Sequence, residues 1–103
     1  MSGYQNVQTK LDEIVAEMKR IGFWQDEPLQ PEQYDFRSAF ALDTMTFNQW
    51  LQFIFVPRVA QILESQGTFP TRSQVGAQAI REYDSFPEAA QLVTLLGEFD
   101  TLF

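Results

Sequence analysis

The chain contains neither cysteine nor histidine. Without cysteine it holds no disulfide and no thiolate metal site, and a disulfide-stapled secreted scaffold is excluded. Without histidine it lacks the usual general base at neutral pH, the imidazole metal ligand and both nucleophile arrangements that depend on that ring. Basic residues are also scarce. Seven Lys and Arg stand against 14 Asp and Glu, a formal charge of −7 that repels a phosphate backbone. The seven (Lys10, Lys19, Arg20, Arg37, Arg58, Arg72 and Arg81) are scattered along the chain and form no basic stripe, so nucleic acid is not an expected partner. The longest apolar stretch, around residues 53–56, falls far short of the roughly 20 residues that span a bilayer. Charges interrupt the N-terminal apolar periodicity, unlike a signal peptide. A membrane is therefore not expected either, and the expected compartment is the cytoplasm. Walker A loops, dinucleotide glycine patterns and internal repeats are missing as well.

What the chain does have is aromatic carbon. Ten Phe bring the aromatic share to 15%, high for 103 residues, so large rings must hold the core together. At this length folding removes only about 60–65% of the unfolded chain's surface from water, so one core and a single domain over residues 1–103 are expected.

Apolar positions Val7, Leu11, Ile14, Val15, Met18 and Ile21 step by fours and threes, which predicts an amphipathic first helix with Lys10, Asp12, Glu13, Glu17 and Lys19 on its other faces. Gly22 supplies its stop, and Phe23 and Trp24 are placed to fold back on its end. Residues 25–45 carry Pro28, Pro31 and several acids without a sustained period, and read as a long ordered loop with one possible helical turn after Pro31. Thr46-Phe47-Asn48-Gln49 is a capping box, with Met45 placed as a hydrophobic staple against Trp50. The second helix it opens should span residues 47–66 and be the central, most buried one. Pro57 lies inside it, removes a donor and pushes on the Phe53 carbonyl, so its geometry should be disturbed near residues 53–57. Capping boxes at Thr71 to Gln74 and Ser85 to Glu88 predict a short third helix through Val75, Ala79, Ile80 and Tyr83, and a fourth carrying Leu92, Leu95, Leu96, Phe99, Leu102 and Phe103. Gly76, Ala77 and Ala79 suit close approach to a neighbouring helix. Four helices, with a long first connection and a proline-kinked second helix, give an all-α, four-helix bundle-like domain.

The run Phe40-Ala-Leu-Asp43-Thr44-Met45-Thr-Phe47-Asn-Gln-Trp50-Leu51-Gln52-Phe53-Ile-Phe-Val56-Pro57-Arg58, with the earlier Trp24-x-Asp26-Glu27-Pro28, resembles the YqcC-like family. Helix pattern and motif order extend the resemblance over nearly the whole chain. It implies a small bacterial all-α bundle and a domain of unknown function, whose members are sometimes encoded beside a tRNA pseudouridine synthase. That neighbour's chemistry needs an RNA platform and a flipped uridine, for which an acidic helical domain of this size offers no seat.

Asp43 and Arg58 form a candidate polar pair. They either flank a pocket or act separately, Asp43 in an Asx-type turn with Thr44 and Met45, and Arg58 tying down a loop or the carbonyl freed by Pro57. Gln49 and Gln52 read as solvated helix positions, and Trp50, Phe53 and Phe55 as core, with a ligand-binding aromatic wall as their other reading. Asp26, Glu27, Glu32 and Asp35 lack the spacing of a calcium loop and read as a solvated acidic loop. Phe23, Trp24, Tyr34, Phe36 and Phe40 are the candidate partner or ligand surface, with a plug for the open side of the bundle as the other reading. The sequence thus predicts no enzyme, no cofactor and no metal. It predicts an interaction or adaptor module for an unidentified protein, itself monomeric or weakly homodimeric. The alternative is a small-ligand sensor with an aromatic pocket and Arg58.

Overall fold

The computed structural model describes residues 3–38, 40–69 and 73–102. The Thr71 half of the second capping box, Arg72, and the place of Phe103 on the last helix lie outside these residues. Helix α1 spans Gly3–Arg20 and buries Val7, Leu11, Ile14 and Met18 at the predicted four-three-four spacing. It ends in a Schellman turn: the Phe23 N–H reaches the Met18 carbonyl at 2.8 Å and the Gly22 N–H the Lys19 carbonyl at 3.3 Å. Gly22 takes φ +80, a left-handed value a side chain would strain. Glu17 departs from the reading that put it on a solvent face. It is buried, and Arg20 one turn on satisfies its carboxylate, which holds that group below the ordinary carboxylate range.

The second helix is a single rod in three parts: α2 (Phe47–Trp50), a π-turn (Leu51–Phe55) and α3 (Val56–Ser65). The capping box forms as its sequence dictates. Gln49 N–H donates to Thr46 Oγ1 at 3.2 Å and Thr46 N–H to Gln49 Oε1 at 3.0 Å. Met45 and Trp50 are both buried beneath it. The expected disturbance before Pro57 is the π-turn, in which the Val56 N–H reaches back five residues to Leu51. Widening the helix there places Pro57 in the first turn of the resumed α-helix, a position that tolerates proline. The extra residue also spreads burial around the rod, so that Leu51, Gln52, Ile54 and Phe55 are all buried. Beyond the proline the expectation of a deeply buried helix is corrected. In α3 only Val59 is buried, because nothing covers its outer faces, where Pro57 and Arg58 are exposed. The left-handed stop falls on Gln66 (φ 54) and not on Gly67, whose N–H bonds Ile62 O at 2.9 Å, and the Tyr4 hydroxyl donates to the carbonyls of both residues.

Helices α4 (Val75–Glu82) and α5 (Ala90–Asp100) complete the bundle, α5 packing on both α4 and α1. Glycines make the α4–α5 crossing close: a Cβ on Gly76 would lie 2.6 Å from the Gly97 Cα. Asp100 supplies the N-terminal cap of α4, accepting from Ser73 Oγ at 2.6 Å and from the Gly76 N–H at 2.8 Å. The Ser85 capping box does not form. Phe86 is the N-cap, and Pro87–Ala89 make a 3₁₀ turn that leads into α5. No strand occurs among the described residues, and the fold is all-α with the long first connection expected.

Candidate functional site

Side-chain amides on the rod pin the long connection in place. Gln52, 8% exposed, accepts the Gln25 N–H on Oε1 at 2.9 Å and donates from Nε2 to the Gln25 carbonyl at 2.7 Å, replacing the strand partner that this backbone lacks. Gln49 Nε2 reaches Gln25 Oε1 at 3.2 Å. Gln33, at the end of a 3₁₀ turn over Pro31–Tyr34, donates to the Thr44 carbonyl at 3.2 Å, and the Thr44 hydroxyl returns a bond to the Gln33 carbonyl at 2.6 Å. The reading of Gln49 and Gln52 as solvated positions is therefore corrected. An amide on a helix this apolar was a signal for a backbone clamp.

Asp43 also acts on the loop, but not through Thr44 and Met45, whose N–H groups bond the Ala41 carbonyl. Its Oδ2 accepts the Arg37 N–H at 2.9 Å, and this bond, with further backbone N–H groups at Asp43 and Ser38, holds the carboxyl below its ordinary value. Arg58 is exposed and makes no ion pair with Asp43 or any other described residue, so the two are not a pair. Nor does Arg58 hold the carbonyl freed by Pro57.

The five loop aromatics diverge. Phe23 is half-buried and packs on Tyr83 and Phe86, with ring centroids 5.4 and 6.3 Å away. Burial, followed by the nearby Glu82 charge, pushes the Tyr83 phenol up, and its hydroxyl donates to Asn48 Oδ1. Trp24 is half-buried, with Lys19 Nζ 5.2 Å from the ring centroid. Phe36 is half-buried against the core. Phe40 meets Trp50 at 5.0 Å and Phe47 at 6.2 Å. Only Tyr34 stands out into solvent, 50% exposed, with Leu42 nearby in sequence at 39%. Four of the five rings are thus partly buried, as a plug requires, and Tyr34 alone of the five is exposed. Asp26, Glu27, Glu32 and Asp35 are all exposed and none joins an ion pair among the described residues.

Where Phe40 meets the rod, a groove of about 220 Å³ opens between α3, the start of α4 and the end of α5. Its walls include Trp50, Phe55, Val59, Ile62 and Phe69, and Arg58 is the sole charged residue among its described lining. The indole N–H of Trp50 is buried without a hydrogen-bond partner among the described residues. The sequence offered an aromatic pocket with Arg58 without placing it; the structure brings Trp50, Phe55 and Arg58 to one groove. Among the described residues no helix is long and apolar enough to cross a membrane, and no group of three or more Asp or Glu is spaced to hold a metal ion.

Comparisons with known proteins follow the fold. The DUF446 family model, described as "tRNA pseudouridine synthase C", matches residues 6–102. An uncharacterized protein of Haemophilus influenzae is 31% identical over 97 residues, 92% of each chain. The uncharacterized protein YqcC of Escherichia coli is 27% identical over 109 aligned positions, 100% of this chain and 95% of its own. A Pectobacterium carotovorum protein named tRNA pseudouridine synthase C is 34% identical over 70 residues, which are 68% of this chain and 19% of that protein. The solution NMR structure of E. coli YqcC has the same fold, with a TM-score of 0.86 at 24% identity over 99% of this chain and 88% of the other.

Proposed function

The chain belongs to the DUF446 family of YqcC-like domains, and on that premise we propose that it is a non-catalytic protein-interaction module that docks a partner through its long first connection. The carrying observation is the way that connection is presented. The Gln52, Gln49 and Gln33 amides and the Asp43 carboxylate hold its backbone, while Tyr34 and Leu42 stand exposed among four carboxylates not engaged in ion pairs. A pre-ordered surface binds with less loss of conformational entropy than a floppy one, and a few exposed anchors in a polar rim carry most of an interface's energy.

The partner we propose is the catalytic part of tRNA pseudouridine synthase C. The related segment makes up 19% of the Pectobacterium protein that bears that name, which leaves about four fifths of it for the named reaction. An enzyme that seats tRNA presents basic surface, complementary to a chain of net charge −7. This reading places the domain in the cytoplasm with tRNA, as a monomer or weak homodimer that meets the enzyme and not the nucleic acid.

The test is to mix the purified domain with the synthase and measure association by calorimetry at low and high salt. Saturable binding that weakens as salt rises, and that Tyr34→Ala with Leu42→Ala reduces, is expected. The domain alone is expected neither to isomerise uridine in tRNA nor to bind tRNA tightly. Uridine isomerisation by the domain, or tight tRNA binding, would overturn the non-catalytic reading.

A further inference from the structure

Independently of the docking face, we propose that the groove beside the π-turn is a binding site for a small aromatic carboxylate, with Arg58 as the carboxylate's partner. Three features select that chemistry. The first is charge. Arg58 is exposed, has no acidic partner among the described residues, and is the sole charged residue of the described groove lining, in a chain where acids outnumber bases two to one. A guanidinium at the mouth of an apolar groove selects an anion, and its fork matches the two oxygens of a carboxylate. The second is the wall. Phe40, Trp50, Phe55 and Phe69 surround the space, and Phe40 and Phe55 already meet Trp50 at centroid distances of 5.0 and 5.7 Å. A further ring gains offset or edge-to-face contacts in such a wall. The third is size. About 220 Å³ lies below the roughly 300–1,000 Å³ of pockets for larger ligands, and suits one ring on a short chain.

The local fold explains why these groups meet. The π-turn at Leu51–Phe55 lets Trp50 and Phe55 line the groove and places Pro57 in the first turn of the resumed helix, where it is tolerated, so that Arg58 and Val59 follow at once. Among the described residues the Arg58 side chain makes no ion pair and no hydrogen bond that would account for it there.

The probe is 3-phenylpropionate, with 3-phenylpropionamide as its uncharged match. A Trp24→Phe background leaves Trp50 as the only indole, so its fluorescence reports on the groove wall. Saturable binding of the acid is expected, weaker by at least about tenfold for the amide and for Arg58→Gln, since each removes the charge-assisted pair. Ile62→Trp, which fills the groove from an exposed helix, should abolish binding while the helical circular dichroism persists. The inference is overturned if neither Trp50 fluorescence nor the Val59 and Ile62 methyl resonances respond up to the solubility limit of the acid. It is equally overturned if acid and amide bind alike, if Arg58→Gln binds as tightly as the parent, or if Ile62→Trp folds and still binds. None of these outcomes bears on synthase docking, which is read with a different partner and through Tyr34 and Leu42.

Discussion

Replacing Gln52 by leucine tests whether the amide clamp holds the long connection. In the native fold this one side chain satisfies both the N–H and the carbonyl of Gln25, at 2.9 and 2.7 Å, from a position only 8% exposed. Two intramolecular hydrogen bonds contribute about 0.5–1.5 kcal/mol each, and stranding partly buried backbone groups costs more than the bonds themselves. Leucine returns part of that loss by burying apolar surface at the same site. The expected destabilisation is therefore about 2 kcal/mol, or roughly 8–10 °C in Tm for a domain of this size. Gln52→Glu goes further, because it keeps the acceptor but turns a carboxylate oxygen toward the Gln25 carbonyl. That arrangement raises the introduced group's folded pKa above its unfolded value near 4.3. Stability is then greatest below the unfolded pKa and is lost as pH rises through the folded one, so this variant should partly recover near pH 4–5. Chemical denaturation gives the magnitude, and amide exchange at Gln25 and through residues 25–45 gives the location. A change under about 0.5 kcal/mol for Gln52→Leu, or destabilisation without faster exchange at Gln25, would refute the clamp.

Gly76→Ala should destabilise by about 1–3 kcal/mol despite its better helix propensity, because the new methyl would sit 2.6 Å from the Gly97 Cα and push α4 off α5; thermal melts check this. Arg58→Ala should change the unfolding free energy by no more than the roughly 0.5 kcal/mol typical of surface changes, since Arg58 is exposed and has no ion-pair partner among the described residues; a larger loss would assign it a structural partner. On acidification, the lowered carboxyls of Glu17 and Asp43 contribute stability that is complete above their ordinary values of 4.5 and 3.8 and is lost as pH falls through the lower folded ones. Melting temperature should thus decline below about pH 4.5, and Glu17→Gln with Asp43→Asn should flatten that decline.

Helix content was legible because periodicity and capping chemistry are local. Val7 to Met18, the Thr46 box and the Gly22 stop each depend on residues within one or two turns, and each formed as read. The Pro57 disturbance was legible for the same reason, though its form as a π-turn was not. What escaped the sequence depends on distant partners. Glu17 looked solvated because the side chains that cover α1 come from elsewhere in the fold. Gln52 was one amide in an apolar run until the loop backbone of Gln25, 27 residues earlier, closed on it. Asp100 gave no hint that it would cap α4, since it comes from the far end of α5, 24 residues on from Gly76, and the Gly76–Gly97 approach brings it there. The candidate surface divided for a related reason. Alternate aromatics along an irregular chain need share no face, so Phe23 packs on Tyr83 and Phe40 on Trp50 while Tyr34 stays exposed. An aromatic pocket with Arg58 was the alternative reading of the sequence, but its position was not legible because the described walls of the groove come from four separate stretches of chain.

The account turns on the claim that the clamped connection is a docking face for a protein, and a chemical-shift footprint tests it most directly. Isotope-labelled domain titrated with the catalytic part of tRNA pseudouridine synthase C should show saturable shift changes concentrated at Tyr34, Leu42 and the neighbouring Glu32 and Asp35, with the buried Gln25–Gln52 clamp unperturbed. Shifts confined to the exposed face of α1, or no change at synthase concentrations well above those of the domain, would contradict it.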